Sequence, residues 1–597
     1  MSGDIQRIFD LLPYAREKFA PRDDFLACKE DGKWVRYSLE EYIEVANNIS
    51  AALMEMGVKK GDRIASITSN RPEWNFIDMG IMQVGAVHVP IYPTISDADY
   101  KYILNHAEVS FVVIEGGELL TRIQHILPEI ASIREIFTIQ RREGVRNLSD
   151  LIQTGRKNRN DELLENRKAS VQPSGLAMLI YTSGTTGHPK GVMLSHSNIL
   201  SNVMALYHIF PVDETSRGLS YLPLSHIYER TNLLIYHYLG VSVYYAENMG
   251  TIADNIREVK PHILTTVPRL LEKVFDRIMN RGKKLKGLRK RMFYRAVELG
   301  FDYDLAGKSP LYWFELKLLR RLVFIKWKKA LGGNLRVIVS GGAALQSRLA
   351  KLYTAAGIDI LEGYGLTETS PVIAVNTLEK GGRKFGAVGK PIRGIEVKIA
   401  KDHEILVKGP NLMQGYYKNE DLTMEAINSE GWFHTGDLGI LDESGHLRIT
   451  GRKKAIFKTA MGKYISPEHI ENKLVESPFI DSALVVGENR KFVAALIVPD
   501  FGSLKNWCLE NNIDCLSDRL MIENREVINV FRKEVDRINV HFGKYEQVMK
   551  FSLTGHEWSV QTGELTASLK LRRGFICNKY QDEIEKLFGM KTPGVRI

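Results

Sequence analysis

The chain has 597 residues, 44% of them hydrophobic. That length allows roughly three to four domains with real cores and excludes disordered, collagen-like and disulfide-scaffold classes. The formal charge is +10, yet residues 281–330 hold fifteen Lys/Arg against four Asp/Glu, so the remainder sums to about −1; one basic region on a near-neutral protein does not describe a nucleic-acid binder.

Four cysteines, Cys28, Cys508, Cys515 and Cys577, form no CxxC pair, which favours a reducing, cytoplasmic compartment with neither zinc nor disulfides. The N-terminal stretch MSGDIQRIFDLLPYAREKF lacks an apolar core, so no signal peptide is expected. Short apolar strands such as Arg63–Ile67 and Gly85–Ile91 then alternate with helical patterns, the signature of parallel α/β layers. LAMLIY, ending at Tyr181, reads as a strand, and GVMLS, from Gly191, as another. The segment between them therefore joins two strands. Ser195 or Ser197 is positioned to cap a helix burying Ile199, Val203 and Leu206. The weakly polar run Thr231–Ala246 has 16 residues and contains His237, too short to span a bilayer. PHILTTVP, from Pro261, precedes RLLEKVFDRI, in which Leu270, Leu271, Val274, Phe275 and Ile278 share a helical face. A turn-plus-strand pattern, GHLRIT, ends where a Gly/Lys-rich stretch begins. This predicts a boundary near residue 451, with a large part, 1–451, and a small α/β domain, 452–597.

The string YTSGTTGHPKG, from Tyr181, packs glycines, hydroxyls and one lysine into eleven residues. Small residues let backbone N–H groups converge on phosphate oxygens, hydroxyls add donors, and Lys190 adds a positive charge. The phosphate-loop pattern GxxxxGK[ST] is absent: AGKS at 306–309 fails because Asp302 stands where its first glycine belongs. The plain alternative for the string is a flexible surface hairpin. In EGYGLTETSP, from Glu362, glycines admit a flat ligand, Tyr364 offers an aromatic face, Thr367 a hydroxyl and Glu368 a hard oxygen ligand suited to Mg²⁺. Asp437, in GWFHTGDLG, has the chemistry to accept two ribose hydroxyls. Trp432 and Phe433 read as core.

Together with YLPLSHIYER from Tyr221, VSGGAAL from Val339, GRKK from Gly451 and GELTASLKLRR from Gly563, these motifs resemble the adenylate-forming (AMP-binding) superfamily, in its long-chain fatty acyl-CoA synthetase branch. The resemblance covers essentially the whole chain. It implies an α/β fold: a large N-terminal adenylation domain of layered sheets plus a small β-barrel-like subdomain, and a small mobile α+β C-terminal domain. It implies an ATP- and Mg²⁺-dependent ligase that makes acyl-AMP from a fatty acid and passes the acyl group to coenzyme A. Thr182, Ser183, Gly184, Thr185, Thr186 and Gly187 would handle the nucleotide phosphates, with Lys190 following the leaving pyrophosphate. Thr182 and Glu368 would hold the metal. Gly342, Ala343, Glu362, Gly363, Tyr364, Gly365 and Thr367 would line the nucleotide, and Asp437 and Arg452 its ribose. Lys570 would stabilise charge on the α-phosphate. Lys454 would be the pivot of the mobile domain, departing from the aspartate common in the wider superfamily. Gly462 would border the CoA tunnel, and His226 the acyl pocket or its wall.

The segment 281–330 resembles an insertion of the long-chain branch. Interleaved Leu288, Met292, Phe293, Tyr294, Trp313, Phe314, Phe324 and Trp327 suit peripheral contact with the inner face of an anionic membrane; the plain alternative is a solvated helical surface. Two other functions stand beside the ligase. One is a fatty acyl-AMP ligase serving a carrier-protein thiol. The other is a catalytically silent acyl-nucleotide or membrane-binding protein, against which Thr182, Glu368, Asp437 and Lys570 argue.

Overall fold

Apolar strands and amphipathic helices alternate along most of the chain, and each parallel strand pair needs a helical crossover to bury its faces. A computed structural model describes residues 5–182, 188–453, 455–513, 517–566 and 570–589. The chain divides into two compact units. The larger comprises Met1–Lys398, Leu406–His434 and Leu441–Leu447; the smaller comprises Ile399–Ile405, Thr435–Ile440 and Arg448–Ile597.

The larger unit holds two broad sheets. In the first, strands run in the order Gly415–Tyr416, Lys190–Ser195, Leu176–Thr182, Val87–Ile91, Arg63–Ile67, Val109–Ile114, Glu135–Thr138 and Arg146–Asn147. Its centre is parallel. Leu176–Thr182 and Lys190–Ser195 pair antiparallel, with Thr182 opposite Lys190, so the Gly/Thr-rich string does connect two strands. Ser195 caps the next helix, His196–Leu206, by accepting from Asn198 N, and Ile199, Val203 and Leu206 are buried. The second sheet has nine strands. Its parallel core places Val337–Ser340 between Ile263–Thr266 and Asp359–Gly365.

Between these layers lies a buried polar chain. Ser66 Oγ and His88 Nε2 are 2.7 Å apart, His88 Nδ1 and Asp78 Oδ1 2.6 Å, and the other Asp78 oxygen pairs with Arg230. Asp78, His88 and Arg230 are fully buried and Ser66 nearly so. Arg230 stands on the helix Ile227–Leu239, which is buried nearly all round; among the described residues no helix is long and apolar enough to cross a membrane.

The basic segment folds as helices, Gly287–Phe301 and then Pro310–Leu319, Arg320–Phe324 and Ile325–Ala330 in succession. One face of residues 310–330 packs inward through Leu316, Leu319, Val323, Phe324 and Trp327. The opposite face presents Leu311, Phe314, Leu318, Leu322 and Ile325 to solvent, with Leu311 74% and Phe314 70% exposed. Their spacing of three and four residues is helical.

In the smaller unit a three-stranded sheet, Ile480–Val486, Val493–Pro499 and Val548–Leu553, is covered on both faces. Strand alternation sends Ala483, Val485, Val493, Ala495 and Ile497 into a core shared with Phe501, Phe531 and Val535. Leu484, Val486, Ala494, Leu496 and Val498 meet Ile576, Tyr580 and Leu587 on the other side.

Candidate active site

Strands Arg217–Ser220, Ile263–Thr266, Val337–Ser340 and Asp359–Gly365 run parallel. Their carboxyl ends therefore line one edge, and the turns beginning at Tyr221, Val267, Gly341 and Leu366 emerge there. Such edges are where open α/β sheets bind ligands. Gly342 has φ +79° and, like Ala343, is exposed. Gly365 admits no side chain, since a Cβ would sit 1.8 Å from the Pro371 carbonyl oxygen. Gly341 lies against the Tyr228 ring, whose hydroxyl donates to the Val339 carbonyl at 3.1 Å. Gly363, Tyr364 and Thr367 are half-buried beside them. Glu362, buried opposite Ser340, has its carboxyl pushed up to about 8 by burial. Burial favours its neutral form, which can donate as well as accept, a chemistry that suits the edge of a purine.

Glu368 is tied to the first sheet through Tyr416. The Tyr416 hydroxyl donates to Glu368 Oε1 at 2.9 Å, and Met413 N donates to the Glu368 carbonyl at 2.9 Å. Burial, reinforced by the Glu368 carboxylate, pushes the Tyr416 phenol well above its usual range, so it stays a donor. Lys190 Nζ lies 5.4 Å from the Tyr416 ring centroid, and Tyr416 pairs with Val192 on the strand that Lys190 begins. Thr182, Lys190 and Glu368 are thereby assembled in one neighbourhood, although Glu368 follows Thr182 by well over a hundred residues. Ser183, Gly184, Thr185, Thr186 and Gly187 lie outside the described residues.

His226 is half-buried and caps the helix Ile227–Leu239, its Nδ1 accepting from Tyr228 N at 3.2 Å. Three residues on, Glu229 is fully buried and pushed up to about 8 by burial, against the Ser220 hydroxyl that bonds it. Sequence reasoning passed over both Tyr416 and Glu229. Tyr416 carries no motif signal. Glu229 sits inside the PLSHIYER string, but only the fold shows it to be buried.

In the smaller unit Asp437 is buried and Arg452 Nε lies 3.2 Å from its Oδ1, so the two residues expected at the ribose are neighbours. Lys453 points elsewhere, to Asp402 and Glu404 at 2.7 and 2.9 Å, and its N–H donates to the Gly436 carbonyl at 2.8 Å. Lys454 lies outside the described residues. Gly462, at φ +79°, turns the hairpin between Phe457–Lys458 and Tyr464–Ile465. Lys570 is exposed and its backbone is anchored: Leu565 bridges Leu571, Thr566 N donates to the Lys570 carbonyl at 2.8 Å, and Lys570 N donates to Thr566 Oγ1 at 3.0 Å. Arg573 is structural, bonding both Glu471 oxygens at 2.7 Å, while Arg572 is exposed over Phe575. In the larger unit, Phe433 is core and Trp432 carries Lys398 Nζ 3.9 Å from its ring centroid.

The ligand edge, the carboxylate set and the order of the motifs define a nucleotide-dependent acyl-activating protein. The chain belongs to the AMP-binding enzyme family, whose model matches residues 16–417, with the C-terminal domain of AMP-binding enzymes matching residues 455–591. It is 35% identical to the long-chain-fatty-acid–CoA ligase FadD15 of Mycobacterium bovis, over 94% of this chain and 93% of that one. It is 32% identical to the peroxisomal long chain acyl-CoA synthetase 6 of Arabidopsis thaliana, over 94% of this chain and 82% of the other. Among solved structures, the adenylation domain of a carboxylate reductase from Mycobacterium chelonae superposes with a TM-score of 0.76 at 19% identity, covering 98% of this chain and 91% of that one.

Proposed function

We infer that this protein is an ATP-dependent long-chain fatty acid–CoA ligase. The observation that carries the reading is the similarity to long-chain ligases along nearly the full length, joined to Thr182, Lys190 and Glu368 gathered around Tyr416. A fatty carboxylate oxygen attacks the α-phosphorus of ATP, the bond to the β-phosphate oxygen breaks, and acyl-AMP and pyrophosphate form. The CoA sulfur then attacks the acyl carbon, AMP leaves, and the thiol proton is released.

The crevice glycines and the neutral Glu362 receive the purine, while Asp437 and Arg452 take the ribose. Lys190 follows the pyrophosphate, and Lys570 meets the negative charge that gathers on phosphorus. Glu368 and Thr182 offer the oxygen donors that Mg²⁺ prefers alongside substrate phosphates; the ion neutralises phosphate charge when bound. His226 belongs to the acyl pocket and Gly462 to the CoA path. The division into 1–451 and a mobile 452–597, pivoting at Lys454, completes the reading, in a cytoplasmic enzyme that meets the inner face of a membrane. The exposed stripe Leu311, Phe314, Leu318, Leu322 and Ile325, with Lys317, Arg321, Lys326 and Lys329 exposed on the same helices, is suited to an anionic lipid surface that carries the fatty acid.

The test is pyrophosphate release with ATP, Mg²⁺ and carboxylic acids from acetate to oleate, with and without CoA. Turnover that needs CoA and peaks at long chains is expected. A single burst that CoA does not sustain would overturn CoA as acceptor. For the membrane contact, cosedimentation with phosphatidylglycerol vesicles should fall when Leu311, Phe314 and Leu318 are all changed to Ser, and unchanged binding would refute it.

A further inference from the structure

The segment that carries Lys570 is held at its base by a buried carboxylate. Glu564 lies six residues before Lys570 and its side chain is fully buried. Lys579 Nζ donates to its Oε1 at 2.6 Å and the Tyr580 hydroxyl at 3.1 Å, and the Thr562 hydroxyl bonds its Oε2. His556 Nε2 stands 3.6 Å away and 2.7 Å from the Tyr580 oxygen; Trp558 Nε1 also reaches Tyr580, at 3.2 Å. Glu564's own carbonyl accepts from Arg572 N at 2.7 Å. Lys579 ends the helix Arg573–Lys579 and Tyr580 follows it. Arg573, at the other end of that helix, is fixed to Glu471 and to the Val485 carbonyl. Glu564 thus clamps the start of the helix-bearing stretch 570–580 to its end, and Lys570 is joined to the clamp through Leu571 and Arg572, which pair with Leu565 and Glu564. Gly563 gives the entry its φ of +92°, where a Cβ would meet the Phe575 ring at 2.7 Å.

We propose that Glu564 is a positioning residue for adenylation: by clamping Lys579 and Tyr580 it fixes the backbone pairing of Thr566, Leu565 and Glu564 with Lys570, Leu571 and Arg572 that anchors Lys570. This rests on the assignment of Lys570 above. A lysine ammonium stabilises a pentavalent phosphorus only when its backbone anchor is set, and displacement by about 1 Å costs roughly 10²-fold in rate. No contact between Glu564 and substrate is required.

The experiment compares E564Q, Y580F and K570A in two half-reactions of the full-length enzyme: acyl-AMP formation from fatty acid and ATP, and thioester formation from supplied acyl-AMP and CoA. E564Q should lower the adenylation kcat by roughly 10- to 100-fold with KM for ATP unchanged, and leave the thioester step within about 3-fold. Y580F should show the same pattern more weakly. Adding E564Q to K570A should cost nothing further in adenylation, because the effect runs through Lys570. Equal loss in both half-reactions, or full additivity with K570A, would overturn the inference in favour of a general folding role. If E564Q fails to fold, Y580F decides: an adenylation rate like the parent's refutes the clamp. Should K570A itself retain adenylation, the assignment of Lys570 fails instead, and that outcome is read without reference to Glu564.

Discussion

Two buried carboxylates, one in each unit, are pushed in opposite directions. Glu362, at the ligand edge of the larger unit, is pushed up to about 8 by burial alone. Glu564, in the smaller unit, is pulled up by burial as well, but the Lys579 ammonium and the Thr562 and Tyr580 hydroxyls prevail and hold it at about 2. The difference teaches that burial does not fix a carboxyl's charge; the donors around it do. At Glu362 burial prevails and pushes the carboxyl toward its neutral form. Glu564 is kept ionised where its bonding is already complete, which suits an anchor.

The largest effect should come from removing the group that the Glu564 clamp anchors. K570A is expected to slow acyl-AMP formation by about 10²- to 10³-fold, the scale of losing one preorganised stabiliser of transition-state charge, as read by pyrophosphate release.

The pH responses of the two carboxylates should have opposite signs. The folded value of Glu362 is raised from 4.5 to about 8. Its stabilising contribution is whole below about 4.5 and is lost as pH rises through 8, at about 1.4 kcal/mol per pH unit. E362Q, which mimics the neutral carboxyl, should remove that slope in urea melts between pH 5 and 8 while adenylation at pH 7 stays near the parent's. A parallel shift with the slope intact would show that Glu362 is ionised in the fold. Glu564, lowered from 4.5 to about 2, contributes stability that is present above 4.5 and lost as pH falls toward 2. Fluorescence of the buried Trp558 should report that acid loss in the parent and a smaller one in E564Q.

A milder change tests the tie between the two sheets. Y416F removes the hydroxyl that bonds Glu368 and should cost about 1 kcal/mol, seen as a several-fold lower adenylation rate and a raised Mg²⁺ requirement. Smallest of all, E315Q breaks the Arg295–Glu315 pair on the helical surface, 2.7 Å long and about half exposed on the arginine side. It should lower the unfolding free energy by no more than the roughly 0.2–1 kcal/mol of an exposed ion pair, read as a small shift in Tm.

Much of this was legible in the sequence because its signals are local. The antiparallel pair around the Gly/Thr string, the Ser195 cap and the amphipathic helix after Pro261 follow from period and capping chemistry, and the fold has them. That helix buries Leu271 and packs Leu270, Val274, Phe275 and Ile278 against the core. The proximity of Asp437 and Arg452 was suggested by the motifs and is present. What escaped is made by distant pairing. Tyr416 acquires meaning only when its short strand joins Val192 and its hydroxyl meets Glu368. Glu564 stood in a quoted motif, yet its cationic partner, Lys579, comes from the end of a helix that starts nine residues later, and no periodicity reveals a clamp. The bifacial helix at 310–330 was half visible: the apolar residues were seen among the lysines, but not which of them face the core.

The buried chain of Ser66, His88 and Asp78 carries a warning about inference by shape. A hydroxyl 2.7 Å from an imidazole, itself 2.6 Å from an aspartate, reproduces the hydrogen-bond order of a serine hydrolase. A search for that three-residue template would flag it. Yet nucleophilic attack needs an open face, and here the serine is walled in and the aspartate is shared with an arginine. A fluorophosphonate reagent should leave Ser66 unlabelled in the folded protein, so that the same atoms that spell an enzyme in one setting serve as mortar in another.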